Sequence, residues 1–318
     1  MILCIWKWIS SSKPITESGD RLKTVFFTTL LLFEISALSK SDFYLAAAGI
    51  FIAAAVFSKR KFSNVPARQK AAADIGTALL MLLLLWQLST RNFKLLDPVL
   101  FPTPESVLKL FFSELPEMTK GMLSSLYLLG SAYFLALVTA IPAGLWVGSS
   151  NRLRNMIEPF SKVLSAIPPI VYIPYAIALL PSFDTASIFV IYSGVFWPVF
   201  VSTVSGVVNI PETLLDSARM LNLKRHVFCF HILLPGAMPS ILTGASLGLI
   251  FSFLLLTAAE LIGATEGLGW YVKNYSDFAD YARVIVGILF IGLVITVIST
   301  LFRQIEKILL RYREVKNG

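Results

Sequence analysis

ILLPGAMPSILTGASLGLIFSFLLLTAA, residues 232–259, contains no Asp, Glu, Lys or Arg. A helix needs about 20 mostly apolar residues to cross the hydrocarbon core of a bilayer, whereas a barrel strand needs about 9–11 residues of alternating character. The stretch is too long and too uniformly apolar for a strand, so it reads as a membrane-spanning helix. Working outward, residues 121–151, 163–183, 185–211 and 284–302 are equally free of charge, and 75–90 is a shorter run of the same kind. Two further apolar stretches, 22–38 and 42–58, lie near the N-terminus, the first interrupted by Glu34. Eight spans are expected, in an all-α integral membrane fold. The composition agrees: apolar residues make up 56% of the chain and charged residues 14%, against about 25% charged in soluble proteins.

The charges that remain set the orientation. Lys and Arg concentrate in loops that stay cytoplasmic. When the eight spans alternate, the loops and tails at 7–23, 59–70, 152–154, 219–225 and 303–316 hold 19 of them, and the opposite loops hold 7. Both termini and the loop over 209–239 are therefore expected in the cytoplasm. The net charge of +8 is accounted for by these helix ends and needs no nucleic acid. Cys4 and Cys229 fall on the same side, where thiols stay reduced. The start, MILCIWKWISSSKPITESGDRLK, is a poor signal peptide. Its apolar stretch is short, Lys7 breaks it, and no small-residue cleavage site follows. The chain divides into an N-terminal helical pair over 1–62, a basic link KRKFSNVPARQK at 59–70, and a six-span domain over 63–318.

Upstream of the opening stretch lies the expected cytoplasmic loop, PETLLDSARMLNLKRHVFCFHILLPGAMPSIL, 211–242. Pro211 can open a helix, since its missing N–H is an orphan there anyway. Leu214, Leu215, Ala218, Leu221 and Leu223 form an apolar stripe near the helical period. Asn222 tolerates the left-handed turn better than most residues. Val227, Phe228, Phe230, Ile232 and Leu233 form a second apolar group, and Pro235 and Pro239 introduce the next span. The pattern is a short helix, a turn and a second short helix. Its apolar face has two readings, packing on the chain's own bundle or docking into a cytoplasmic partner, and periodicity alone supports both.

This loop resembles the cytoplasmic signature of ABC importer permeases: E-A-A, three residues, G, nine residues, then I-x-L-P. Asp216, Ser217 and Ala218 take the E-A-A place, and Arg219 to Leu221 fill the next three positions. Asn222 stands at the Gly, Leu223 to His231 are the nine, and Ile232, Leu234 and Pro235 close the pattern. The resemblance implies the transmembrane fold of a type I ABC importer and a coupling helix seated on a separate ATPase, with Arg219, Lys224 and Arg225 as candidate contacts. Downstream, TAAELIGATEGLGWYVKNYSDF (257–278) resembles the nitrate, sulfonate, taurine and bicarbonate branch, in which an A-E-M or A-E-L step precedes G-L-G. AIPPIVYIPYAIALL (166–180) resembles the proline-rich span of that branch. After it, PSFDTAS stands where the branch has a Gly-containing turn. The resemblance covers about 72–315 and leaves the first 60 residues outside. It implies an inner-membrane permease for a small solute, an anion such as nitrate, a sulfonate, taurine or bicarbonate, or a vitamin-precursor-like solute. It also implies ABC ATPase subunits, a periplasmic or lipid-anchored substrate-binding protein, and a second permease chain, identical or not.

An ionisable residue inside a membrane is costly and marks function by default. Glu260 is the best candidate in the core of this chain, near the outer end of its span, and both a gating and an interfacial structural role are open to it. Pro168, Pro169 and Pro174 interrupt one span and remove backbone hydrogen bonds, as a helix beside a translocation path or a merely bent helix would. Gly267 and Gly269 form a tight outer turn that could belong to an outer gate. Gly121, Gly130, Gly144, Gly244 and Gly248 are expected where helices approach closely. No phosphate-binding G-x-x-x-x-G-K-[ST] and no G-x-S-x-G is present. His226 and His231 lack partners at metal-ligand spacing. The chain is expected to be no enzyme and to bind no cofactor, with ATP and Mg held by the partner ATPase. The alternative, an ion-gradient-driven secondary transporter, calls for inverted repeats and midplane charges, and neither is evident.

Overall fold

The computed structural model describes residues 97–314 apart from 222 and 223, with isolated helical positions between 79 and 90. The expected spans over 22–38 and 42–58, the 59–70 link, most of the 75–90 run, Asn222 and Leu223 lie outside the described residues. Every element among the described residues is helical: α1 (Pro104–Gly148), α2 (Asn151–Ala166), a 3-10 turn (Pro169–Tyr172), α3 (Ile173–Leu179), α4 (Phe183–Val208), α5 (Glu212–Met220), α6 (Arg225–Phe228), a π-helical turn (Cys229–Leu233), α7 (Leu234–Gly263), α8 (Leu268–Asp277) and α9 (Tyr281–Glu314). Four stretches are long and apolar enough to span a membrane: α1, α4, α6 through α7, and α9. The pair α2 and Pro169–Leu179 qualifies as a fifth, bent by 69°. The apolar runs over 121–151, 185–211, 232–259 and 284–302 are thus largely helical, whereas the run over 163–183 is broken between Ala166 and Pro169. The six-plus-two arrangement extends beyond the described residues.

The chain forms two compact units. The first runs to Ser113 and includes Asp280–Val286. There α1 is started by Thr103, whose hydroxyl accepts from the Ser106 amide ahead of Pro104, and α9 by Asp280, which accepts from the Arg283 amide.

The second unit, Glu114–Ala279 with Gly287–Gly318, is built on α4 and α7, which pack along most of their lengths. The reason is small residues at helical spacing. A Cβ on Gly244 would lie 2.5 Å from the Ser202 side chain, so only glycine lets these two backbones meet, and α1 approaches α4 in the same way, a Cβ on its Gly144 lying 2.6 Å from Thr203. α1 seats Ala132, Ala136 and Ala140, four residues apart, in the same core. Its large apolar side chains, Leu123, Tyr127, Phe134 and Val138, point away and are exposed. This inversion of the soluble pattern is what a lipid environment permits, because helix association there rests on close packing rather than on hiding apolar surface from water. Gly130 departs from the expectation: a Cβ there would touch nothing.

Two further expectations are corrected. Pro174 does not interrupt a helix. It occupies the first turn of α3, where its missing N–H costs nothing. The bend comes from Ile167 and Pro168, both extended, because a proline pushes the preceding residue out of the helical region. The second short helix of the 211–242 loop is also not separate. α6 continues through the π turn into α7, the Leu234 amide bonding to the Cys229 carbonyl five residues back. Pro235 lacks the donor that an ordinary turn would need, and the wider turn absorbs that loss. PSFDTAS, which replaces the Gly-containing turn, closes by another device: Ser182 and Thr185 form a reciprocal capping box at the start of α4.

Candidate functional site

Three places carry the sequence-selected residues. The first is the 211–242 loop. Ala218 is 3% exposed and seats α5 on the chain itself. Leu215 and Phe228 pack on a core of Leu145, Val207, Ile210, Leu233, Ala237 and Ile241. The other edge of the loop is bare: Met220 is 89% exposed and Leu221 72%, and Leu214 and Phe230 are more than half exposed. The two readings of the apolar face therefore divide between residues, one side folded back on the bundle and the other uncovered. Asp216, Ser217, Lys224 and Arg225 are exposed beside that edge, and Ile232, Leu234 and Pro235 are half-buried where the loop joins α7. Arg219 lies on α5. Met220, the most exposed of these apolar residues, was not singled out in the sequence. Its place in the three variable positions of the signature is no signal.

The second place is the bent pair. Pro168 and Pro174 are exposed and Pro169 is half-buried. Phe160, Val163, Ile167, Val171, Tyr175 and Leu179 form an exposed apolar stripe that continues across the bend. Tyr172 turns inward to the Ser193 hydroxyl of α4 at 2.6 Å.

The third place is the joint around Glu260, 1% exposed at the end of α7. Gly267 adopts φ 123° and ψ 173°, a region essentially closed to residues with a Cβ, and turns the chain back so that α8 begins against α7. Helix starts leave N–H groups without intrahelical partners, and Gly267, the N-cap of α8, has no side chain to serve them. They are served from elsewhere. The Gly269 amide donates to Glu260 Oε2 at 2.6 Å, and the Leu268 amide donates to the Ser125 hydroxyl of α1 at 2.9 Å. That hydroxyl donates in turn to Glu260 Oε1 at 2.5 Å. A carboxylate at a helix N-terminus is also favoured by the helix dipole. The glycines are needed for room, since a Cβ on Gly267 would lie 2.5 Å from Glu260 Oε1 and one on Gly269 2.8 Å from the Glu260 Cβ. On the same side Ser124 donates to Glu266 at 2.9 Å. The adjoining cavity, bordered by Ser125, Thr257 and Glu260, is about 10 Å³. That is room for about one water molecule and for no solute. Ser125 was not foreseen, because it lies 135 positions from Glu260 in an ordinary apolar run.

Among the described residues no group of three or more His, Cys, Asp or Glu could hold a metal ion.

The family described as the binding-protein-dependent transport system inner membrane component matches residues 140–311, which take in the loop, the bent pair and the turn after Glu260. The chain belongs to that family. Among its permeases, the taurine transport system permease protein TauC of Escherichia coli (strain K12) is 30% identical over 257 residues, 79% of this chain and 93% of that protein. The nitrate import permease protein NrtB of Synechocystis sp. is 30% identical, covering 69% of this chain and 82% of its own. The bicarbonate transport system permease protein CmpB of the same organism is 30% identical over 67% and 79%. A structure of the MetNI methionine ABC transporter in an inward-facing conformation aligns with 98% of its chain and 62% of this one, at a TM-score of 0.53 and 17% identity. That likeness is one of fold. This chain is therefore a transport permease of the inner membrane, in the branch expected from its A-E-L and G-L-G steps.

Proposed function

We propose that this permease is the transmembrane subunit of an ATP-driven importer. It pairs with a second permease chain, receives a small solute from a substrate-binding protein outside, and is driven by a separate ATPase that holds ATP and Mg. The observation that carries the reading is the bare edge of the loop. Leu214, Met220, Leu221 and Phe230 are apolar and left uncovered by the described residues, and exposed Lys224 and Arg225 in the same segment keep it out of the hydrocarbon. Among the described residues nothing covers that edge, and the cover we infer is a soluble protein. The excess of Lys and Arg supports a cytoplasmic location for it and for both termini, where ATP is available. Nucleotide on one side and loaded binding protein on the other would each shift the permease between two conformations by its differential affinity for them.

The solute we propose is a small molecule bearing an oxyanion. Support comes from the relatives, whose names specify taurine, nitrate and bicarbonate. Family membership speaks against a gradient-driven secondary transporter. The test is to solubilise the permease from its native membrane, identify what co-purifies, and measure uptake of labelled taurine, nitrate and bicarbonate by the reconstituted complex. An ATPase and ATP-dependent uptake of one of these is the expected result. A permease that transports without nucleotide and brings no ATPase would overturn the reading.

A further inference from the structure

The cap on α8 comes from two other helices, and that has consequences for how the permease can move. Leu268 and Gly269 supply the first amides of α8, yet their acceptors are Ser125 of α1 and Glu260 of α7. Ser125 and Glu260 are also bonded to each other. Three helices thus meet in a closed ring of hydrogen bonds around one buried carboxyl. Gly121, one turn from Ser125 on α1, lies against the Gly267 carbonyl so closely that a Cβ there would approach it to 3.1 Å. The ring opens only if several groups lose their partners together: two helix-end amides, a buried hydroxyl and a buried carboxyl. The cavity beside it admits about one water molecule, which is too little to replace them. Separating α1 from α7 here is therefore far more costly than moving both as a block.

We propose that Ser125 and Glu260 are positioning residues that lock α1, α7 and the start of α8 into one rigid corner, and that this corner stays closed through the transport cycle. Glu260 then does not gate and does not meet the solute. Access changes at other seams of the permease, and the 267–269 turn travels with α1. This rests on the importer reading for the existence of a cycle.

Hydrogen exchange of the Leu268 and Gly269 amides tests it, in the intact complex with its ATPase and binding protein, compared between nucleotide-free and ATP-trapped states. The expected result is slow exchange in both, differing by less than about tenfold, the effect of losing one such bond. A rise of about tenfold or more on trapping would show that the ring opens and would overturn the proposal. The variants give an independent readout. Ser125→Ala should release the Leu268 amide and lower solute taken up per ATP hydrolysed, and Ser125→Thr, which keeps the hydroxyl, should restore both. Glu260→Gln, with one acceptor oxygen left, should keep the Gly269 amide slow, whereas Glu260→Ala should not. Unchanged exchange and unchanged uptake per ATP in Ser125→Ala would also sink the idea. Should the wild-type complex show no ATP-dependent uptake at all, the importer reading fails, and protection of the two amides still reports separately on whether the ring exists.

Discussion

Gly267 combines two constraints that no other residue type meets. Its φ of 123° lies in a region where a Cβ is strained, and the space a Cβ would take is occupied by the Glu260 carboxyl. Gly267→Ala is expected to cost about 1–3 kcal/mol from the backbone alone, seen as a lower midpoint of thermal unfolding in detergent. An unchanged midpoint would mean that the turn is looser than described. Ala279 presents the opposite case, a side chain held at φ 58° just past the end of α8, where glycine is usual. Ala279→Gly should therefore raise the midpoint or leave it level, and a drop would contradict the assigned backbone. At this scale the A-E-L and G-L-G steps were legible because Glu260 is an acid in an apolar run and the glycines are closely spaced. Their purpose was not. The acceptor of one α8 amide is Ser125, and nothing about a serine among leucines marks it as one.

Helices of this permease approach each other where side chains are missing, so glycines that look alike should respond differently. Gly244→Ala places a Cβ 2.5 Å from Ser202, whereas Gly130→Ala meets open space. The first should destabilise by about 1–3 kcal/mol through overpacking. The second should be neutral, or gain up to about 1 kcal/mol from the helix propensity of alanine. Paired unfolding measurements on the two variants check this, and equal effects would refute the described α4–α7 packing. Apolar periodicity located both helices well but could not separate their glycines, since each sits in a run of similar composition. The prolines behaved likewise. Pro168 and Pro174 are equally visible as helix breakers, yet one makes the bend and the other starts a helix. Ile167 before Pro168 is extended, whereas Ile173 before Pro174 is helical, and the apolar pattern does not tell the two apart.

For the whole permease, the exposed edge of the 211–242 loop is where the proposed ATPase would dock. Met220→Asp or Leu221→Asp should abolish co-purification of the ATPase while leaving the amount of permease in the membrane unchanged, because both side chains are solvent-exposed. Ala218→Asp should instead reduce the amount of permease, since it puts a charge into a packed position. If Met220→Asp retains the ATPase, docking occurs elsewhere. With Cys4 and Cys229 replaced, a membrane-impermeant maleimide should reach Thr265→Cys in intact cells and Leu221→Cys only after permeabilisation. The reverse pattern would invert the topology. The sequence alone determined the solvent, the helices and the family, because hydrophobicity adds up along a chain and a loop signature is read in consecutive residues. Only the tertiary structure decided which edge of the loop is bare, which glycines are contacts and which serine caps α8. Those depend on the crossing angles and registers of helices far apart in sequence, and a turn of about 100° per residue makes a small change in register enough to replace one neighbour with another.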